Sequence, residues 1–149
     1  MNSLKSAKAL FLQGKLDQAE FLFLKNLEIE EEAETFLFLG MIQVQKKDYE
    51  SAYHFLIKCI EKNPDDGNAC NELGVVCLRE GKEKEAVYWL KRAVLSLKND
   101  ARHVSLYNLA ILYKIWNRPE RSLQYIHRAL TLEPDFRDAL LLREELLSI

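Results

Sequence analysis

The cysteines are the residues of this chain best suited to nucleophilic or metal chemistry. Cys59, Cys70 and Cys77 are an odd number of thiols, and no two of them have the Cys-x-x-Cys spacing of zinc and redox sites. Each falls at an apolar position of a predicted helix. We therefore interpret them as buried, reduced thiols, a pattern that favours a reducing compartment and predicts a cytoplasmic protein.

The histidines are the other candidates for catalysis or metal binding. His54, His103 and His127 lie far apart in the chain, and none has a cysteine or carboxylate at ligand spacing on its own helix face. The sequence also contains no glycine-rich phosphate loop and no Gly-x-Ser-x-Gly turn. These observations predict a protein without catalytic residues, metal site or cofactor, and therefore not an enzyme.

Length and composition predict the number of domains, and the net charge indicates which classes of partner to expect. The 149 residues are 48% hydrophobic and 30% charged, which predicts a single domain over residues 1–149. A net charge of −2 gives no reason to expect nucleic acid or an anionic membrane as a partner. Lys5, Lys8 and Lys15 interrupt the N-terminal apolar residues, and no run approaches the ~18 apolar residues of a membrane span. We expect neither a signal peptide nor a membrane span.

Small residues recur along the chain with a fixed spacing. Gly74, Ala86 and Ala93 are separated by 12 and then 7 residues, and the same spacing occurs three more times, at steps of 33, 34 and 36 residues. Two helices approach closely only where the side chains between them are small, so each triplet predicts a helical hairpin. The other triplets are Ala7, Ala19 and Asn26; Gly40, Ala52 and Cys59; and Ala110, Ser122 and Ala129.

These hairpins must stack, because one alone cannot bury its apolar face. Gly81 stands where a first helix must end and is predicted to be a left-handed C-cap. Glu144 occupies a small-residue position, so the last segment is predicted to be a capping helix over 136–147. The predicted helices before it span 3–13, 16–29, 33–46, 49–62, 67–80, 83–97, 101–116 and 119–131.

The pattern resembles the tetratricopeptide repeat family. The second unit gives Phe36-x-x-Leu39-Gly40, then Ala52, and then Pro64; the fourth gives Leu109-Ala110-x-x-Tyr113, Ser122, Ala129 and Pro134. The resemblance implies an all-α, right-handed superhelix of four hairpins, with repeats at about 1–32, 33–66, 67–100 and 101–134. It also implies a concave groove, lined by the first helix of each hairpin, that binds a peptide or helix of another protein.

The repeat frame assigns residues to this predicted partner-binding groove. They are Leu37, Phe38, Met41, Val44, Asn71, Glu72, Val75, Tyr107, Asn108, Ile111 and Lys114. Asn71 and Asn108 could pair with a peptide backbone or simply be solvated. The segment 36–42 is apolar around its whole circumference. Either Leu37, Phe38, Met41 and Val44 form an apolar groove floor for a partner, or Leu4, Phe11 and Val75 cover them.

Some members of the family bind a C-terminal carboxylate with a set of Lys, Asn and Arg side chains. The corresponding positions here lack the necessary cations, so we predict an apolar ligand and no carboxylate clamp. The positions are Leu4, Lys8, Phe38, Asn68 and Glu72, or, one repeat on, Leu37, Met41, Glu72, Val104 and Asn108.

A second apolar surface lies near the N-terminus. Phe21, Leu22 and Leu24 are predicted to leave apolar side chains on more than one face of their helix, with Ile57 beside them. They form either a self-association site, which would make a homo-oligomer, or part of an irregular first repeat that buries them. We predict an adaptor or scaffold that binds another protein. The alternatives are a small secretion or assembly chaperone and a self-assembling structural protein.

Overall fold

The computed structural model describes the backbone of residues 2–148 and the side chains of residues 3–148; the domain limits at residues 1 and 149 lie outside this part. Its regular structure consists of helices, apart from one isolated bridge between Asp66 and Lys98. The helices are α1 Asn2–Leu12, α2 Leu16–Ile29, α3 Ala33–Gln45, α4 Tyr49–Lys62, α5 Gly67–Arg79, α6 Glu83–Leu95, α7 Arg102–Ile115, α8 Pro119–Leu132 and α9 Arg137–Leu147.

Four hairpins follow one another as predicted: α1–α2, α3–α4, α5–α6 and α7–α8. Each hairpin turn contains one residue in the left-handed region, and these residues repeat with the same steps as the small residues: Gly14, Lys47, Gly81 and Asn117. In each turn the following N–H bonds back across the helix end; that of Lys82 donates to the Cys77 carbonyl at 2.8 Å. This is a Schellman cap, which satisfies the last carbonyls of the first helix.

The helices of a hairpin touch at the small residues. A Cβ on Gly74 would lie 2.5 Å from Cγ and Cδ2 of Leu90, and one on Gly40 would lie 2.6 Å from the same atoms of Leu56. Both leucines are fully buried. The close approach of the two helices therefore requires glycine at both positions. This confirms the prediction that the recurring small residues mark helical hairpins.

The core continues from one hairpin to the next. Leu39 and Ile42 of α3 pack with Phe23 of α2, and Leu106 and Leu109 of α7 pack with Leu90 of α6. The capping helix α9 buries Ala139, Leu142 and Leu146 against α7 and α8. Asn26, the polar residue at a small position of the first repeat, is buried and donates a hydrogen bond to Thr35 Oγ1 at 2.9 Å.

Most helix ends lie within one residue of the prediction, and the largest difference is at the end of α6. α6 ends at Leu95 rather than at residue 97, because Ser96 is extended and its hydroxyl donates to the Asp65 carbonyl at 2.7 Å. The Gly67 N–H also donates to the Lys98 carbonyl at 3.2 Å. The 96–101 connection is therefore bound to the turn before α5, and it contains the extra residues of the 36-residue step.

Candidate functional site

The first helices of the hairpins form the inner side of the stack. α1 contacts α3, α3 contacts α5 and α5 contacts α7, whereas over residues 2–148 no second helix packs to the same extent against the next second helix. A stack whose first helices are closer together than its second helices curves towards the first helices. We call the face formed by α1, α3, α5 and α7 the groove.

Two adjacent cavities open on this groove. The first, which we call the Met41 cavity, has a volume of about 450 Å³ and lies between α3, α5 and the 96–101 connection. Its lining residues are Glu34, Leu37, Phe38, Met41, Asn68, Asn71, Glu72, Asn99, Asp100, Ala101 and Val104. The second, the Tyr107 cavity, has about 320 Å³ between α5 and α7. It is lined by Val75, Leu78, Arg79, Tyr107, Asn108, Ile111 and Ile115.

Most residues assigned from the repeat frame line one of these cavities, but Val44 and Lys114 line neither. Val44 is half-buried and packs against the core between α3 and α5. The Lys114 ammonium forms an ion pair with Glu145 of α9. The repeat frame missed the contribution of Asn99 and Asp100, and the signal that could have found them is the longer step between the third and fourth units.

The side chains that make α3 apolar on every face lie in different surroundings. Leu37 is only 9% exposed and belongs to the core with α5. The Phe38 ring contacts Phe23 and Phe11, each with ring centroids 5.1 Å apart, so part of it is covered by the first hairpin. Met41 is half-buried, and it remains with one side of Phe38 on the cavity surface.

The two groove asparagines are bonded to each other. Oδ1 of Asn71 accepts hydrogen bonds from Nδ2 of Asn108 at 3.2 Å and from Oγ of the buried Ser105 at 2.8 Å. Asn99 Nδ2 donates to the same Ser105 hydroxyl at 3.1 Å. This network ties α5 to α7. It leaves the Asn71 amide N–H groups and the Asn108 carbonyl oxygen as the donor and acceptor available where the two cavities meet.

The Met41 cavity is acidic. Glu34 forms an ion pair with Lys8 at 2.6 Å, and Asp100 accepts a hydrogen bond from Asn68 at 3.2 Å. No Lys, Arg or His is among the lining residues that the structure describes. Burial raises the pKa of Glu72 to about 7. In the neighbouring Tyr107 cavity, burial raises the pKa of the Tyr107 phenol, and the nearby Asp138 carboxylate raises it further.

The residues first considered for chemistry are not assembled into a site. All three cysteines are buried and free, and burial raises the pKa of Cys59 to about 12 and that of Cys77 to about 11. Within the described residues, no three His, Cys, Asp or Glu side chains come together as metal ligands would. None of the helices described is both long enough and apolar enough to cross a membrane.

The N-terminal apolar surface is partly exposed. The side chains of Phe21 and Leu24 are 57% and 44% exposed, whereas Leu22 is half-buried against the core of the first hairpin. A cavity of about 390 Å³ lies beside Phe21 and Leu22, with Leu10 in its wall. Ile57 is half-buried and packs against the core around α4, so it adds little to this surface.

A family model described as tetratricopeptide repeat matches residues 33–66 and 103–136. Among curated proteins, the chain is 32% identical over 92 residues to Protein O-mannosyl-transferase TMTC3 of Homo sapiens, which covers 62% of this chain and 10% of the relative. It is 27% identical over 99 residues to Anaphase-promoting complex subunit 6 of Arabidopsis thaliana, with 64% and 18% covered. The chain thus spans less than a fifth of the length of either relative.

Solved structures share the fold over nearly the whole chain. Pseudomonas aeruginosa pilF has a TM-score of 0.90 at 18% identity, over 99% of this chain and 67% of that one. Cut9–Hcn1 of the APC/C has a TM-score of 0.83 at 20% identity, over 97% and 30%. YrrB, described as having an unusual peptide-binding site, has a TM-score of 0.76 at 22% identity, over 93% and 71%. At these identities the likeness concerns the fold alone, and it confirms the predicted all-α superhelix of stacked hairpins.

Proposed function

This chain belongs to the tetratricopeptide repeat family, and we propose that it is a non-catalytic interaction module that holds a segment of a partner protein in its groove. Proteins of this fold bind other proteins. We propose that the groove is the binding surface. We also propose that the protein acts as an adaptor or scaffold in a reducing, cytoplasmic compartment.

The observation that supports this proposal most directly is that a hydrogen bond joins one lining residue of each cavity. Asn71 lines the Met41 cavity, Asn108 lines the Tyr107 cavity, and the 3.2 Å hydrogen bond between them lies where the two meet. A single extended or helical segment lying along the groove would therefore reach both cavities.

Each cavity offers apolar surface that a partner side chain would bury. Phe38 and Met41 provide it in the first, and Tyr107 and Ile111 in the second; all four are half-buried in the free protein. Burying one Leu-sized side chain at each place would contribute roughly 1.5–3 kcal/mol before the cost of ordering the segment. The free Asn71 donor and Asn108 acceptor are placed to bond a backbone amide between the two.

The relatives are consistent with this role. The subunit of the anaphase-promoting complex and the Cut9–Hcn1 hetero-tetramer are parts of assemblies, and YrrB is described as having a peptide-binding site. For this chain we transfer only the mode of action, which is binding to protein, and leave the identity of the partner open.

The test is site-specific photo-crosslinking combined with charge insertion. A photo-crosslinking residue at Met41 or Ile111 should crosslink a partner protein, and the same residue at the exposed Gln124 of α8 should not. Met41→Glu and Ile111→Glu should weaken capture of that partner at least tenfold, because each places a charge against its apolar side chains. Gln124→Glu is the matched control, and thermal melts of all variants would verify folding. Undiminished capture by both groove variants would rule out the proposed site.

A second candidate is self-association through the N-terminal surface. The exposed Phe21 and Leu24 beside a 390 Å³ cavity favour it. Analytical ultracentrifugation at two protein concentrations should then show a dimer that is lost in the Phe21→Ser, Leu24→Ser double variant. A monomer at both concentrations would exclude this candidate and leave the groove proposal intact.

A further inference from the structure

We propose that the Met41 cavity binds a lysine or arginine side chain of the partner segment, flanked by apolar residues, with the Glu72 carboxylate as its counter-ion. This inference rests on the proposed function and adds to it the chemical class of the ligand.

The charged residues that line the cavity have one sign, and the nearby Lys8 ammonium is paired with one of them, Glu34. Its three acidic lining residues are Glu34, Glu72 and Asp100, and the part of the chain that the structure describes places no cationic side chain in its wall. An acidic ligand would meet three carboxylates, whereas a cationic ligand would be attracted by all of them. Complementary charge of this kind selects partners and excludes others.

Of the three carboxylates, Glu72 is the one without a partner. Glu34 is paired with Lys8 of α1, and Asp100 accepts a hydrogen bond from Asn68. Among residues 3–148, no side chain donates a hydrogen bond to Glu72, and no Lys, Arg or His nitrogen lies within 4.0 Å of its carboxylate. The only other charged side chain of α5 is Arg79, which is exposed and two helical turns further along, in the wall of the Tyr107 cavity.

Glu72 is also half-buried before any ligand arrives. Burial is the sole cause that raises its pKa to about 7, and neither Glu34 nor Asp100 contributes to the shift. Desolvation normally opposes a buried ion pair. For Glu72 this cost is already present in the free protein, so an arriving cation would have to lose only its own hydration.

The apolar wall of the cavity suits the stem of a long basic side chain. Leu37, Phe38, Met41 and Val104 surround the space in front of Glu72. The methylene groups of lysine or arginine can pack on such a wall while the charged end reaches a carboxylate.

The first test is selection from a random 12-residue peptide display library against the folded protein. Peptides that lose binding to Met41→Gln, which removes apolar surface without adding a charge, should be enriched in Lys or Arg next to apolar residues. One selected peptide and its analogue with norleucine in place of the basic residue would then be titrated by fluorescence polarisation. We expect the analogue to bind at least tenfold more weakly to the unmodified protein.

Substitution of Glu72 should remove the affinity difference between the basic peptide and its norleucine analogue. Glu72→Gln should weaken the basic peptide about tenfold and leave the norleucine analogue unchanged, whereas Glu61→Gln, on the exposed surface of α4, should alter neither. Glu72→Lys should prefer an analogue with Glu at the basic position. Equal losses for both peptides in Glu72→Gln would mean that Glu72 only supports the groove structure, and would overturn the assignment.

The affinity should also depend on pH. With a pKa of about 7, Glu72 is mostly ionised at pH 8 and mostly protonated at pH 6. The basic peptide should therefore bind about fivefold more tightly at pH 8 than at pH 6, and Glu72→Gln should remove the difference. A profile that stays the same in Glu72→Gln would contradict the role of this carboxylate.

The outcomes separate this inference from the proposed function. Selected peptides that depend on Met41 but show no basic preference would overturn the inference and leave the groove as the binding site. Absence of any peptide sensitive to Met41→Gln would overturn both. A dimer that is lost in Glu72→Gln would identify the basic occupant as a second copy of this chain, and would overturn the assignment to a partner protein.

Discussion

Oδ1 of Asn71 on α5 accepts a hydrogen bond from Nδ2 of Asn108 on α7 at 3.2 Å, across the boundary between two repeats. The same oxygen accepts a shorter bond from the buried Ser105 hydroxyl at 2.8 Å. A polar contact inside an otherwise apolar inter-repeat surface fixes the relative position of the two helices, and it thereby sets the distance between the two cavities.

Loss of the Asn71 side-chain oxygen, which accepts two hydrogen bonds, should lower the free energy of unfolding more than loss of the single Asn108 donor. Asn71→Ala leaves the Ser105 hydroxyl and the Asn108 amide without their acceptor, so we expect the free energy of unfolding to fall by about 1–2 kcal/mol. Asn108→Ala removes only one bond at a half-buried position, and its effect should be smaller. Urea denaturation of both variants measures the difference; equal effects would show that the Ser105 bond contributes nothing.

The contact between Gly74 and Leu90 should tolerate no added methyl group. Gly74→Ala places a Cβ 2.5 Å from Leu90, and the resulting overpacking should lower the free energy of unfolding by about 1–3 kcal/mol despite the better helix propensity of alanine. Adding Leu90→Ala should give a combined loss smaller than the sum of the single losses, because the clash is removed.

Gly81→Ala is the control for this pair. No atom lies within 4 Å of the added Cβ, but φ is +76°, so only backbone strain of about 1–2 kcal/mol is expected. Its effect should add to that of Leu90→Ala. Additive behaviour of Gly74→Ala as well would refute the packing explanation.

Lys47 occupies the turn position at which Gly14 and Gly81 stand in other repeats. Its φ of +63° is unfavourable for a residue with a Cβ, so Lys47→Gly should raise the free energy of unfolding by about 0.5–1 kcal/mol. Asn117, at +58°, tolerates this region better, and Asn117→Gly should therefore gain less. Chemical denaturation would check both; destabilisation by Lys47→Gly would show that its side chain has a stabilising contact.

Glu72 should make the protein less stable at high pH. Its folded-state pKa of about 7 lies above the ordinary value of about 4.3, so the folded state holds the proton more tightly than the unfolded state. That contribution is complete below pH 4.3 and is lost as the pH rises to 7. Glu72→Gln should accordingly raise the free energy of unfolding by about 1–2 kcal/mol at pH 8 and very little at pH 5.

Urea titrations at the two pH values would test this, with Glu61→Gln as the exposed control. A stabilisation that is the same at both values would have to come from packing rather than ionisation. Taken with the peptide measurements, stabilisation at pH 8 together with weaker binding would identify Glu72 as a residue that lowers stability and serves recognition.

The sequence by itself determined the repeat architecture. Gly40, Gly74 and Ala110 recur at nearly constant steps because the two helices of every hairpin approach closely at these positions. The left-handed residue of each turn recurs at the same steps. Helix positions and the cap therefore follow from residues near one another in the chain. The residues of α5 and α7 that face the groove follow from the same register, and most of them line a cavity.

Only the tertiary structure decided which of those residues are free to bind. Leu37 and Met41 are similar in the sequence and line the same cavity, yet Leu37 is only 9% exposed within the core and Met41 is half-buried, because the contacts with neighbouring helices differ. Lys114 is paired with Glu145 of the capping helix, and the side-chain oxygen of Asn71 is bonded to Asn108 in the next repeat, which leaves only its amide N–H groups for a partner. The acidic character of the Met41 cavity likewise depends on Asp100, which the 96–101 connection brings to Asn68 from 32 residues away. Such contacts join residues that no periodic pattern relates, and so the sequence places them on a face without showing what each of them meets there.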